Sequence, residues 1–133
     1  MTDEPQTRVA LVGAGPEAMG LLAGILSDQR VDLAALLDPD PGAALQRAEE
    51  YLKAHAPALE ARFRPLLTDD PERVARERPV DVIIDAMPPG SGNLAGRLRL
   101  ALEPRTAQQM NALSARMIWG PEIAPDEQAP AHP

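Results

Sequence analysis

The residues whose types and spacing could do chemistry lie near the start of the chain, in the run Gly13-Ala14-Gly15-Pro16-Glu17-Ala18. It reads G-x-G-x-x-A. It directly follows a short apolar run, Arg8-Val9-Ala10-Leu11-Val12, and directly opens a helix-like stretch from Pro16 to about Asp28. In that context each small residue has a task. Gly13 allows a tight turn, Gly15 lets backbone approach a pyrophosphate, and Ala18 lets the helix lie close to the strand. The free N–H groups and the positive end of the helix dipole then face an anion. Pro16 suits the first helical position, where an N–H would be unpaired anyway. Glu17 works against this by adding negative charge to the first turn, where it could cap the free amides itself.

The second element is Asp38, about twenty residues beyond Ala18 and at the end of the apolar run Val31 to Leu37. A carboxylate there accepts hydrogen bonds from adenosine ribose hydroxyls and repels a 2′-phosphate. Pro39-Asp40 follows with no arginine, so NAD is favoured over NADP. The third is Asp85-Ala86-Met87-Pro88-Pro89-Gly90, after the apolar run that starts at Val80. Met87 and Pro88 could pack on a ribose or nicotinamide, with Asp85 making a polar contact. Each element also has a reading without a ligand: a compact strand–helix joint, a solvated strand-end Asp38, and an Asp85 that caps local backbone.

Catalytic groups are scarce. His55, Tyr51 and Lys53 share the last turns of a second helix (about Gly42 to His55), which should lie far from the crevice on solvated surface; His132 falls in a proline-rich end. No metal-ligand spacing, nucleophile elbow or Gly-Lys-Ser/Thr phosphate loop occurs. The chain has no Cys, which removes thiolate sites and disulfides.

Elements that could position these residues alternate along the chain. A weak third strand is expected over 63–68, and Asp70-Pro71 starts a short helix to about Arg78. Val80 to Asp85 is a fourth strand, and Ser91 or Asn93 caps a helix to about Leu102. A polar edge strand is expected within 105–113, and a last short helix over 114–119. Short connections between alternating strands and helices give a doubly wound α/β sheet of about five parallel strands, order 3-2-1-4-5, a Rossmann-like fold. With one Phe, one Tyr and one Trp in 133 residues, its core must be aliphatic. The domain should span residues 7–120, between a polar tail (1–6) and a proline-rich tail (121–133), with no room for a separate substrate domain.

A net charge of −7 argues against nucleic acid and against anionic membrane surfaces. No signal-type or membrane-spanning segment is evident, so a cytoplasmic protein is expected. Met110, Leu113, Met117 and Ile118 fall near one helical face ending in Trp119. That face could cover the open sheet edge. Alternatively it forms a homodimer contact or a docking surface for a regulated partner, with Trp119 at the contact or in an exposed patch.

Residues 8–90 resemble the nucleotide-binding half of the glucose-fructose oxidoreductase / inositol dehydrogenase group. The likeness rests on Val9 to Gly15, Leu37-Asp38-Pro39-Asp40-Pro41, and Val80 to Ile84 with Pro88-Pro89. It implies pyrophosphate at Gly13, Gly15 and Ala18, ribose at Asp38, and the nicotinamide side at Met87, Pro88 and Pro89. The group's catalytic domain has no counterpart here. The ending Leu113 to Trp119 is similar to the close of compact Rossmann modules found ahead of bacterial sensor kinases and regulators, which implies ligand sensing.

The expectation is thus a stand-alone NAD(H)-binding domain acting as a nucleotide or redox sensor. Its rivals are an oxidoreductase subunit completed by another chain, and a Rossmann interaction module that binds nothing. An Asp38→Ala, Pro39→Arg double variant should shift preference toward NADPH by about tenfold or more, since it removes a repelling carboxylate and adds a phosphate donor. Titrations with NADH and NADPH read the ratio, and an unchanged ratio removes Asp38 from the ribose.

Overall fold

Val9, Ala10, Leu11 and Val12 are completely buried, which a strand achieves only when helices cover both faces of its sheet. The computed structural model describes residues 6–88, 90, 92–103 and 107–119. The expected tail at 121–133, most of the one at 1–6, Pro89, Ser91 and His132 lie outside them. Its elements are β1 (Thr7–Val12), α1 (Pro16–Ser27), β2 (Val31–Leu37), α2 (Pro41–His55), a 3₁₀ turn (Pro57–Arg62), β3 (Leu66–Thr68), α3 (Pro71–Glu77), β4 (Val82–Asp85), α4 (Leu94–Leu102), β5 (Gln108–Asn111) and α5 (Ala112–Trp119). The strands form one sheet in the order β3-β2-β1-β4-β5. Every pairing is parallel.

Local chemistry explains the helix starts. Proline stands in the first turn of α1, α2 and α3. Asp40 caps α2 by accepting from the Ala43 amide at 3.1 Å. Asp70 caps α3 from the Glu72 amide at 3.0 Å, and Asn93 caps α4 from Gly96 at 3.2 Å. The third strand is shorter than expected. Residues 57–62, which carry no helical periodicity, wind into the 3₁₀ turn before it.

Strand parity assigns the two faces. Val9, Leu11, Val82 and Ile84 point to the side covered by α1, α2 and α5. Ala10, Val12 and Ile83 point to the side covered by α3 and α4. In β2 the alternation breaks: Val9 pairs with Leu33 but Ala10 pairs with Ala35. The extra residue, Ala34, flips the phase, so Leu33 and Leu36 share the first face while Ala35 and Leu37 take the second. The Ala34 carbonyl accepts from Arg78 Nη1 at 3.0 Å.

The last helix corrects an expectation. Trp119 is neither exposed nor on a free apolar patch; it is 7% exposed and belongs to the α1-side core. Its backbone lies in a hollow on α1 at Gly24, where any β-carbon would overlap the Trp119 carbonyl. Its indole Nε1 donates to Asp28 at 3.2 Å, and Asp28 also accepts from the Arg30 guanidinium and amide. These Arg30 bonds, aided by Trp119, lower the Asp28 carboxyl to about 2. The adjoining Arg30 carbonyl accepts the Thr7 amide at 2.9 Å. Leu113, Met117 and Ile118 face outward, at 67%, 84% and 56% exposure. Among the described residues no helix is long and apolar enough to cross a membrane.

Trp119→Ala should therefore cost about 3–5 kcal/mol of unfolding free energy, as removal of a core aromatic does. Gly24→Ala should also lower the melting temperature by forcing α5 off α1. Because the folded Asp28 carboxyl sits below its ordinary value of 3.8, the stability it contributes is present above that pH and is lost as pH falls through about 2. Asp28→Asn should flatten the melting-temperature profile over that window, as read by circular dichroism.

Candidate dinucleotide site

Three hydrogen bonds level the carboxyl end of the sheet. The Gly13 amide donates to the Leu37 carbonyl at 2.7 Å, the Ala86 amide to Val12 at 2.8 Å, and the Asp38 amide to Thr68 at 3.2 Å. They bring Gly13, Asp38 and Ala86-Met87 to one edge, which in a doubly wound sheet is where ligands bind.

The two glycines of the turn differ in what requires them. Gly13 has φ +108°, and a β-carbon there would stand 2.9 Å from the Ala86 carbonyl oxygen. The fold itself demands glycine at that point. Gly15 has φ −81° and ψ −170°, an ordinary extended conformation, and no atom lies within 4 Å of where its β-carbon would be. Nothing inside the protein demands glycine at 15. A side chain would project into open space at the mouth of α1, where a pyrophosphate would approach. Gly15 is also the α1 N-cap and offers no side chain to the first amides. Pro16 and Glu17 are exposed, while Ala14 and Ala18 are buried under the turn. The turn thus fits a dinucleotide phosphate.

Asp38 is 8% exposed. Its Oδ2 accepts the Asp40 amide at 3.0 Å, which fixes the carboxylate beside the β2 end and next to the exposed Pro39. On the β4 side, Asp85 Oδ1 accepts the Met87 amide at 3.2 Å, the local cap that the sequence left open. Met87 is half-buried against the α4-side core, and Pro88 is exposed.

A groove of about 740 Å³ opens between α1 and α2 beside the turn. Gly15, Pro16, Met19, Arg47, Tyr51 and His55 are among its walls. This corrects the placement of Tyr51 and His55 away from the nucleotide turn. Positions 47, 51 and 55 recur every helical turn, and α2 lies alongside α1 on the same face, so that stripe meets the glycine turn. Tyr51 is half-buried and His55 exposed, their ring centroids 4.5 Å apart. Arg47 went unnoticed in the sequence because it is nine residues past Asp38 instead of next to it. Its Nη1 lies 3.5 Å from the Ala14 carbonyl oxygen. Among the described residues no group of His, Asp or Glu could hold a metal.

No family model and no curated protein matches the chain. Its fold does match solved structures. One is apo scyllo-inositol dehydrogenase from Lactobacillus casei at 77 K, with TM-score 0.56 and 15% identity, covering 83% of this chain and 29% of that one. A second structure of the same apo enzyme gives TM-score 0.56 and 12% identity over 89% of this chain and 35% of that one. The chain therefore spans about a third of the length of these enzymes. At such identities the likeness is one of fold, and it falls on the group that the motifs resemble.

The two glycines should separate in mutagenesis. Gly13→Ala should destabilise by about 1–3 kcal/mol, from its strained φ and its clash with Ala86. Gly15→Val should keep the unfolding free energy within about 1 kcal/mol of the parent, the scale of a changed N-cap residue. It should still lose nucleotide binding at least tenfold. Thermal melts and NADH titrations of the pair check both halves.

Proposed function

We propose that this chain binds NAD(H) across the carboxyl edge of its sheet and serves as a nucleotide- or redox-sensing module. The observation that carries this reading is Gly15, a glycine with an ordinary backbone conformation and empty space before it. In this reading the α1 amides and dipole hold the pyrophosphate at Gly13, Ala14, Gly15, Pro16, Glu17 and Ala18. Asp38 accepts the adenosine ribose hydroxyls and, with Pro39, disfavours a 2′-phosphate. Met87 and Pro88 line the nicotinamide side with Asp85 behind them. The bound group supplies hydride chemistry wherever a catalytic partner exists.

Sensing is preferred because, among the described residues, the nicotinamide side carries no His, Lys or Tyr to act as a proton donor. Tyr51 and His55 lie on the α2 flank of α1, on the β2 side of the central strand, while Met87 and Pro88 follow β4 on the other side. The exposed Leu113, Met117 and Ile118 of α5 are the surface through which occupancy would reach a second copy or a regulated partner. A cytoplasmic setting belongs to the same reading. A second reading is the nucleotide-binding subunit of an oxidoreductase whose catalytic part is on another chain. The fold likeness to a dehydrogenase three times as long favours it.

Calorimetric titration with NAD⁺, NADH and NADP⁺, followed by assays for substrate-dependent NADH oxidation, tests these readings. NAD(H) binding without turnover is the expected result. Turnover supports the oxidoreductase reading. No binding of any dinucleotide overturns both and leaves an interaction module.

A further inference from the structure

The two edges of the sheet differ. At one end of the strand order, Leu66 and Thr68 of β3 are buried. At the other end, Gln108, Gln109 and Asn111 of β5 are exposed and Met110 is half-buried. The Gln108 amide donates to the Asp81 carbonyl at 3.0 Å, so its backbone faces the β4 side. Alternate residues of a strand turn their backbone groups to opposite edges. Those of Gln109 and Asn111 therefore face outward, where no described strand meets them. Sheet edges are commonly blunted by charged side chains or proline; Gln108–Asn111 carries neither. Beside this edge lies the exposed side of α5. Arg116 takes the flank toward α1, where it shares a hollow with Pro16, Glu17 and Gly20. Ile118 is about 200° further round the helix, on the opposite flank, and Leu113 and Met117 point outward.

Charge selects the occupant. The chain carries 20 acids against 13 Lys and Arg, so two copies repel each other over most of their surfaces. Residues 107–119 contain no acid, and their one charged residue is Arg116, on the α1 flank. A second copy meets no like charge along this edge, and depletion of charge marks the core of an interface. We propose that β5 pairs antiparallel with β5 of a second copy across a twofold axis at Met110, so that one sheet continues into the next. Gln109 then exchanges backbone hydrogen bonds with Asn111 of the partner subunit, and the reciprocal pair follows by symmetry. Met110 belongs to the α1-side core, so Leu113, Met117 and Ile118 of the two α5 helices close over the same face. Three side chains so exposed present an apolar patch on the order of 300–400 Å². With the strand edge beside them, the contact reaches the roughly 600 Å² per partner at which specific interfaces begin. The proposal rests on the sensing reading for its surface and names the partner, a second copy, that this reading leaves open; the pairing itself requires no nucleotide.

Sedimentation of the full chain from low to high micromolar concentration tests it, with NADH binding followed by calorimetry on the same samples. The parent should reach twice the 14.2 kDa of the chain. The Gln109 and Asn111 amides should gain protection from hydrogen exchange as it does. Gln109→Pro removes an outward N–H and keeps the bonds to β4, and Met117→Glu sets like charges across the axis. Each should weaken the dimer at least tenfold, with melting curves showing that the variants are folded. Leu100→Glu changes an equally exposed side chain in a groove between α3 and α4 and should dimerise as the parent does. A parent that stays monomeric at high micromolar concentration overturns the proposal, as does a dimer that survives Gln109→Pro. A monomer with those two amides already protected means that other residues of the chain cover the edge, and overturns it too. A monomer that binds NADH removes the pairing alone, and a dimer that binds no dinucleotide removes the nucleotide reading alone.

Discussion

The arrangement hangs on Gly13. Its amide is fastened to the end of β2, and its missing side chain is the space into which the Ala86 carbonyl advances from β4. A larger residue would push β4 away from the central strand, and the three loops that follow β1, β2 and β4 would no longer end at one level. Because the turn is held from both sides, α1 must start where it does, with its amides directed at the same edge as Asp38 and Met87. Backbone proximity enforced at one residue thus becomes the geometry of the whole rim.

Two further close approaches set the layers. Ala34 in β2 shifts the alternation by one residue, so that Leu33 and Leu36 serve the α1-side core while Leu37 serves the opposite one. Burying each such side chain contributes about 1.5–3 kcal/mol, so the phase change adds stability on both faces of one strand. On the outside, Gly24 admits the backbone of α5. With three aromatic residues in the chain, tight backbone contacts through Gly and Ala do the space-filling that rings perform elsewhere.

The fold was largely legible because buried parallel strands leave uninterrupted apolar runs, and because Asp70 and Asn93 mark helix starts that the structure uses. Legibility failed where the deciding partner is distant in sequence. Trp119 looks like an interface anchor when read beside Leu113 and Met117, but the hollow at Gly24 and the acceptor Asp28 turn it inward; no local pattern announces a contact across 91 residues. Tyr51 and His55 were assigned to a remote turn by topology alone, whereas the lateral packing of α2 on α1 decides what they face. Residues 57–62 lack the length for a periodic signal, so their 3₁₀ turn went unread, and the strand expected from 63 begins only at Leu66. In the candidate site the glycines and Asp38 could be read from spacing, but the contrast between Gly13 and Gly15 needed the neighbours of an absent β-carbon.

The turn at Asp28–Arg30 binds the start of the first strand through Thr7 and the end of the last helix through Trp119. Both ends of the folded body therefore meet at the pole opposite the glycine turn. A body with that layout works as a cassette: flanking protein joined at residue 7 and at residue 119 would emerge side by side, and a host chain could carry the domain as an insertion without lengthening its own path or shading the rim.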